Sequence, residues 1–97
     1  MFRIVWTETA AADLDDIWRY TERSWDEEQA DLYISAIHED MGNSEAIKLR
    51  ARRIDHVSPD LWRMHHTRHF VYFRYTGETI QISRVLHDMM DDTLHLP

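Results

Sequence analysis

The stretch Trp62–His87, WRMHHTRHFVYFRYTGETIQISRVLH, decides the fold. It reads as three strands joined by two tight turns, and it holds much of the chain's Arg, His and aromatic content. Thr76-Gly77-Glu78-Thr79 offers a Gly-X two-residue loop, the II′ hairpin signature. That loop pairs Tyr75 with Ile80, Phe73 with Ile82, Tyr72 with Ser83 and Phe70 with Val85. A second loop at Thr67-Arg68 pairs His65 with Phe70, Met64 with Val71, Arg63 with Tyr72 and Trp62 with Phe73. Side chains alternate with a period of two, so this register sorts the sheet into two faces. Trp62, Met64, Val71, Phe73, Tyr75, Ile80 and Ile82 form a core face. Arg63, His65, Phe70, Tyr72, Arg74, Gln81, Ser83, Val85 and His87 form a face expected to meet a partner.

Outward from the sheet, Phe2-Arg3-Ile4-Val5-Trp6 alternates as a strand. Thr7 is a good helix N-cap, and Glu8 complements the dipole of the helix that follows. Ala10, Leu14, Ile17, Trp18, Thr21 and Trp25 recur at helical spacing, which predicts an amphipathic helix ending near Ser24. Asp26 with Gln29 is a capping-box variant opening a second helix, whose apolar stripe is Ala30, Tyr33, Ile34, Ile37 and Met41. The short link folds the two helices into an antiparallel hairpin. Ala46 and Ile47 continue the stripe beyond Gly42, so the second helix is expected to extend to about Ile47. Residues 48–60 carry a basic cluster (Lys48, Arg50, Arg52, Arg53) and the punctuation Ser58-Pro59-Asp60. The tail from Asp88 to Pro97 is partly apolar and reads as a turn of helix or a mobile segment. The expectation is one α+β domain over residues 1–97: a small antiparallel sheet, β-α-α-β-β-β with a short C-terminal tail, packed on an N-terminal helical hairpin.

A chain of 97 residues supports a single modest core. With no Cys, disulfide and thiol chemistry are absent, and no segment has the length of a membrane span or signal peptide. A cytoplasmic location follows as the default. The net charge of −7 is unevenly divided. From Thr7 to Ile47 twelve acids face only Arg19 and Arg23, whereas from Lys48 to His87 eight bases face three acids. An acidic helical layer over a basic sheet argues against general nucleic-acid coating or sequence-specific nucleic-acid binding, and leaves one basic face for an acidic peptide or a phosphate.

Four segments, in this order and spacing, carry a resemblance. They are Ala12–Thr21 (ADLDDIWRYT), Ser24–Ala30 (SWDEEQA), His69–Arg74 (HFVYFR) and Ile82–His87 (ISRVLH) followed by Met90-Asp91. Together they resemble the ParE branch of the ParE/RelE toxin superfamily over nearly the whole chain. One departure stands after the second helix, where the family's Asn-Pro-x-x-Gly-Arg-like turn is replaced by Ile47–Arg52 (IKLRAR). The resemblance implies a type II toxin held in a hetero-oligomer by a ParD-like antitoxin. It also implies inhibition of DNA gyrase by noncovalent binding, without a cofactor. RelE-branch relatives share the fold but cut messenger RNA on the ribosome.

The residues expected to meet antitoxin or target are Arg63, His65, Phe70, Tyr72, Arg74, Val85, His87, Met90 and Asp91. A ribonuclease would need a general base, an acid and cations for the phosphorane, and His87, Arg63 and Arg74 are the residues that could supply them. The acidic balance favours a protein target over RNA, because phosphate contacts dominate RNA affinity. The plain structural alternative has His87 and Arg63 bonding within the sheet or to Asp88 and Asp91. A degenerate toxin kept as a binding module is a third reading. Trp18, Trp62, Phe73 and Ile82 are assigned to structure, together with the remaining tryptophans Trp6 and Trp25. Arg84 shares parity with Ile80 and Ile82, so it must snorkel, pair with an acid such as Asp13 or Asp16, or be turned by a bulge. A structural Arg–carboxylate pair is the favoured outcome. His65-His66-x-x-His69 invites a metal, but His65 points away from His66, and no Cys or suitably spaced acid completes a set, so none is assigned.

Overall fold

A computed structural model describes residues 2–91 and Leu96. Its elements run β1 (Arg3–Trp6), α1 (Glu8–Ser24), α2 (Glu27–Met41), α3 (Ser44–Arg50), β2 (Arg52–Arg53), β3 (Trp62–His66), β4 (His69–Thr76) and β5 (Thr79–His87). The expectation for the tail beyond Asp91 lies outside the described residues except at Leu96.

The helix signals act as read. The Thr7 side chain accepts from the Ala10 N–H, and Asp26 accepts from the Gln29 N–H. The second helix does not run through to Ile47. It stops at Met41 with Gly42 as its C-cap, and Asn43 caps a separate helix by accepting from the Glu45 and Ala46 N–H groups. An Asn side chain satisfying two first-turn donors makes a new start better than a continuation through Gly. Trp25 corrects the predicted stripe, for it is the C-cap of α1 and stands 76% exposed. Trp18 is half-buried and ties the hairpin together through its indole N–H to Asp31 (2.9 Å).

Five strands lie in the order β1-β5-β4-β3-β2. The β3–β4 pairing matches the expected register from Trp62↔Phe73 to His66↔His69. The β4–β5 pairing matches from Thr76↔Thr79 to Phe73↔Ile82. Both loops fall as predicted, with positive φ at Gly77 (62°) and at Thr67 (55°). Two features correct the expected antiparallel sheet. β1 runs parallel to β5, making the sheet mixed, and β2 adds a short fifth strand beside β3.

The larger departure is a bulge. Beyond Phe73↔Ile82 the register slips by one, so that Tyr72 meets Arg84, Val71 meets Val85, Phe70 meets Leu86 and His69 meets His87. One extra residue flips every later side chain on β5 to the other face. The slip coincides with a change of neighbour along β5. β1 accompanies β5 only as far as Ile82, and beyond that point α1 completes the strand's edge. The Thr7 N–H donates to the Ile82 carbonyl (3.1 Å) and the Thr7 hydroxyl to the Ser83 carbonyl (3.2 Å). Asp13 accepts the Val85 N–H (2.9 Å).

The main core lies between the sheet and the helices, with Ala10, Leu14, Ile37, Met41, Met64, Val71, Phe73, Ile80, Ile82 and Val85 buried in it. A second small core covers the other sheet face: Ile54, Leu61, Tyr72 and Leu86, with Val57, Phe70 and Leu96 against them. Residues 54–61 fold over that face, with the Ile54 N–H bonded to the Leu61 carbonyl (2.8 Å).

Candidate functional site

The residues predicted to share one partner-facing surface divide into three groups. Arg63, His65, Phe70 and Arg74 stay on the face opposite α1 and α2. The Arg63 guanidinium lies 4.1 Å over the Phe70 ring, and the His65 ring packs 4.8 Å from the same ring. Cation–π contact holds the long Arg side chain flat against the sheet instead of leaving it in water. The His65 Nε2 meets an Asp88 oxygen at 3.0 Å, which ties the residue after β5 to this patch.

Tyr72 is on the same face but is 1% exposed, sealed under Leu61 and Ile54, so it is core and not contact surface. Val85 and His87 are on the helix side, because the bulge reverses their parity. Val85 is buried against Val71 in the main core, and His87 packs 5.3 Å from His69, across from Tyr33 of α2. The expected trio of His87, Arg63 and Arg74 is therefore not assembled. Met90 and Asp91 are exposed just past β5, and the Met90 N–H is bonded to the His87 carbonyl (3.0 Å).

Arg84 is bound to Asp13 of α1. Its Nε and Nη2 donate to the two oxygens of Asp13 at 2.8 and 3.1 Å, a bidentate pair. That hydrogen bonding holds the Arg84 guanidinium above its ordinary pKa. Phe73 and Ile82 are buried in the main core, and the partly buried Trp62 packs against it, stacked on Phe73.

The sequence did not reveal the polar cluster at the β3–β4 turn. The Tyr33 hydroxyl accepts the Arg68 N–H (3.4 Å) and has its single proton within reach of His69 Nδ1 (2.6 Å) and the His66 carbonyl (3.3 Å). His66 Nδ1 bonds Asp40, which also pairs with Arg50 (3.2 Å), and Arg50 in turn caps the His65 carbonyl (2.6 Å). Burial by itself would raise the Asp40 carboxyl, but the hydrogen bonds from His66 and Arg50 outweigh it and hold the group below its ordinary value. Burial, reinforced by electrostatic repulsion from the neighbouring His87, drops His69 to about 4, so its ring is neutral at physiological pH. Burial also raises Tyr33 above the ordinary tyrosine range. The signal available in sequence was that Tyr33, Ile37, Asp40 and Met41 share one stripe of α2, which marks Asp40 as an acid turned toward the sheet.

His66 and His69 pair across the turn on the helix side, and His65 faces the other way, as their alternation requires. Among the described residues no group of three or more His, Cys, Asp or Glu has an arrangement that could hold a metal. No helix among them is long and apolar enough to cross a membrane.

Comparison with known proteins agrees with this architecture. A family model described as the ParE toxin of the type II toxin–antitoxin system, parDE, matches residues 4–92. Toxin ParE1 of Caulobacter vibrioides is 36% identical over 97 aligned positions, covering 90% of each chain. Toxin ParE1 of Mycobacterium tuberculosis is 31% identical over 90 residues, covering 92% of each. Among solved structures, a chain of the chromosomal ParDE TA system from P. aeruginosa superposes with a TM-score of 0.71 at 24% identity, covering 90% of this chain and 96% of that one. A YoeB/ParE toxin from Agrobacterium tumefaciens gives 0.60 at 13% identity, covering 89% and 98%. These two share the fold. On the strength of the family match and of relatives above 30% identity along nearly their whole length, the chain belongs to the ParE toxins of type II toxin–antitoxin systems.

Proposed function

We propose that this toxin is neutralised by a ParD-like antitoxin and, once released in the cytoplasm, inhibits DNA gyrase by binding it noncovalently. The observation that carries the reading is the Arg63–Phe70–His65 assembly on the sheet face away from the helices. A guanidinium lying on an aromatic ring, rigid and half-exposed, is the kind of anchor that dominates protein interfaces. Met90 and Asp91 extend the same region beyond β5, and Arg74 adds a further cation on that face. The separation of His87 from Arg63 and Arg74 weighs against the alternative of ribosome-dependent mRNA cleavage, which needs its acid, base and cations around one phosphate. For the antitoxin, β1 offers a terminal strand with Val5 exposed and Phe2 exposed just before it, suited to strand addition combined with a helix. No cofactor enters this mechanism.

The test is induction of the chain without antitoxin, followed by plasmid topology, DNA-damage signalling and transcript integrity. Loss of supercoiling with intact messages is the expected result. Cleaved transcripts with normal topology would overturn the proposal. In the same assay Arg63→Ala and Phe70→Ala should each weaken the topological effect by about tenfold or more, the loss of a single anchor.

A further inference from the structure

On the second sheet face, between the start of α1, the strands β4 and β5 and the segment 54–61, lies a cavity of about 330 Å³. That is at the lower end of the range of small-ligand sites and well beyond the volume of a single ion. Arg74 and Arg84 provide its cations, Thr7, Thr9 and Ser83 its hydroxyls, and Leu61 and Leu96 an apolar wall. Its apolar wall, Leu61 and Leu96, is part of the second core, and the Arg63–Phe70–His65 assembly lies outside its lining.

The two guanidinium groups are not equivalent. The charge of Arg84 is matched by Asp13 at 2.8 Å. Arg74 donates its Nη2 to the Ser58 hydroxyl (2.7 Å) and its Nε to the Pro59 carbonyl (3.4 Å), both neutral acceptors. Two of its five N–H groups are thereby used, and no described carboxylate pairs with it. This chain carries 18 acidic residues against 11 Lys and Arg, yet the partners of this half-buried guanidinium among the described residues are neutral. Three donors of Arg74 and the Thr9 hydroxyl have no partner among the described residues, and they lie beside a second guanidinium. Such a convergence of donors fits an anion with several acceptor oxygens around one centre better than a flat, two-oxygen carboxylate.

We propose that this cavity binds a small phosphate-bearing ligand of nucleotide size, its phosphate held by Arg74 and the Thr9 hydroxyl and its apolar part laid against Leu61 and Leu96. The phosphate belongs either to a free nucleotide or to the phosphorylated end of a nucleic-acid strand. The site shares Arg74 with the proposed gyrase-binding face but not the Arg63–Phe70–His65 anchor, and its test does not depend on toxicity.

The full chain is titrated by calorimetry and by amide NMR with adenosine 5′-monophosphate, adenosine and inorganic phosphate. The monophosphate should saturate and bind at least about tenfold more tightly than either fragment, the worth of one charge-assisted contact. Arg74→Gln retains an N–H donor for Ser58 while removing the charge, and should weaken binding about tenfold or more. Thr9→Val alters an exposed position that folding does not need, and should weaken binding by a few-fold. A 5′-phosphorylated dinucleotide identifies the source: tighter binding than the mononucleotide assigns a strand end, and weaker binding assigns the free nucleotide. The proposal is overturned if no saturation occurs by roughly 5 mM monophosphate. It fails equally if adenosine binds as well as the monophosphate, or if folded Arg74→Gln and Thr9→Val bind like the parent.

Discussion

Removing the Asp13 carboxylate tests whether α1 fixes the register of β5. Asp13 accepts three N–H groups: Arg84 Nε at 2.8 Å, Arg84 Nη2 at 3.1 Å and the Val85 backbone at 2.9 Å. The two side chains are 13% and 27% exposed, so the pair is screened only in part. Breaking a fully buried ion pair costs about 3–5 kcal/mol, because the partner charge is left without compensation. Residual solvent access at Arg84 reduces this, while the orphaned Val85 N–H adds about 1 kcal/mol. Asp13→Ala should therefore destabilise by about 3 kcal/mol, which for a domain of this size lowers Tm by roughly 12 °C or more. Asp13→Asn keeps an acceptor for Val85 but turns an amide toward the guanidinium, and should cost about half as much. Urea titrations of Asp13→Ala, Arg84→Met and the double variant should give a coupling energy of about 1–2 kcal/mol. A cost for Asp13→Ala below about 1 kcal/mol, or additive single variants, would show that the register is set elsewhere.

Other consequences can be checked separately. His69 binds its proton more weakly when folded, so the unfolded chain takes up more protons between about pH 6.5 and 4, and stability falls as pH is lowered through that window. Discounted for the partial exposure of the ring, the loss is about 1–2 kcal/mol, and a folded His69→Gln should show a flatter profile in pH-dependent urea melts. Thr67 holds φ at 55° with a β-branched side chain, a strained conformation worth about 1–3 kcal/mol. Thr67→Gly should relieve it and, after the entropy cost of Gly, raise stability by about 1 kcal/mol in thermal melts; a decrease would mean that the Thr67 conformation carries no strain. Leu61→Ala empties the second core beside Tyr72 and should cost about 2–4 kcal/mol, read as a lower urea midpoint with an unchanged slope.

Much of the fold is written locally. Gly77 at a positive-φ turn position, Thr7 and Asp26 as caps, and the alternation of Trp62, Met64, Val71 and Phe73 depend on neighbours a few residues away, and each lies where the sequence reading put it. The likeness to ParE toxins was legible for the same reason, since its segments are those local patterns in order. Asn43 as a second cap is equally local, but the apolar periodicity of Ala46 and Ile47 runs across it and hides the break.

The site divided where distant parts of the chain decided the geometry. Strand parity holds only while the ladder is unbroken, and Asp13 and Thr7, some 70 residues away from β5, complete its edge one residue out of step. That single slip moves Val85 and His87 to the helix side while leaving Arg63, His65, Phe70 and Arg74 on the other. Tyr72 alternates as predicted, yet Leu61 and Ile54 cover it, and a period of two cannot say which outward face a loop will later close. The sequence by itself determined the strands, turns and caps, because their energies are local. Tertiary structure alone decided which charged and aromatic groups share a surface, because that depends on where α1 and the segment 54–61 come to rest on the sheet.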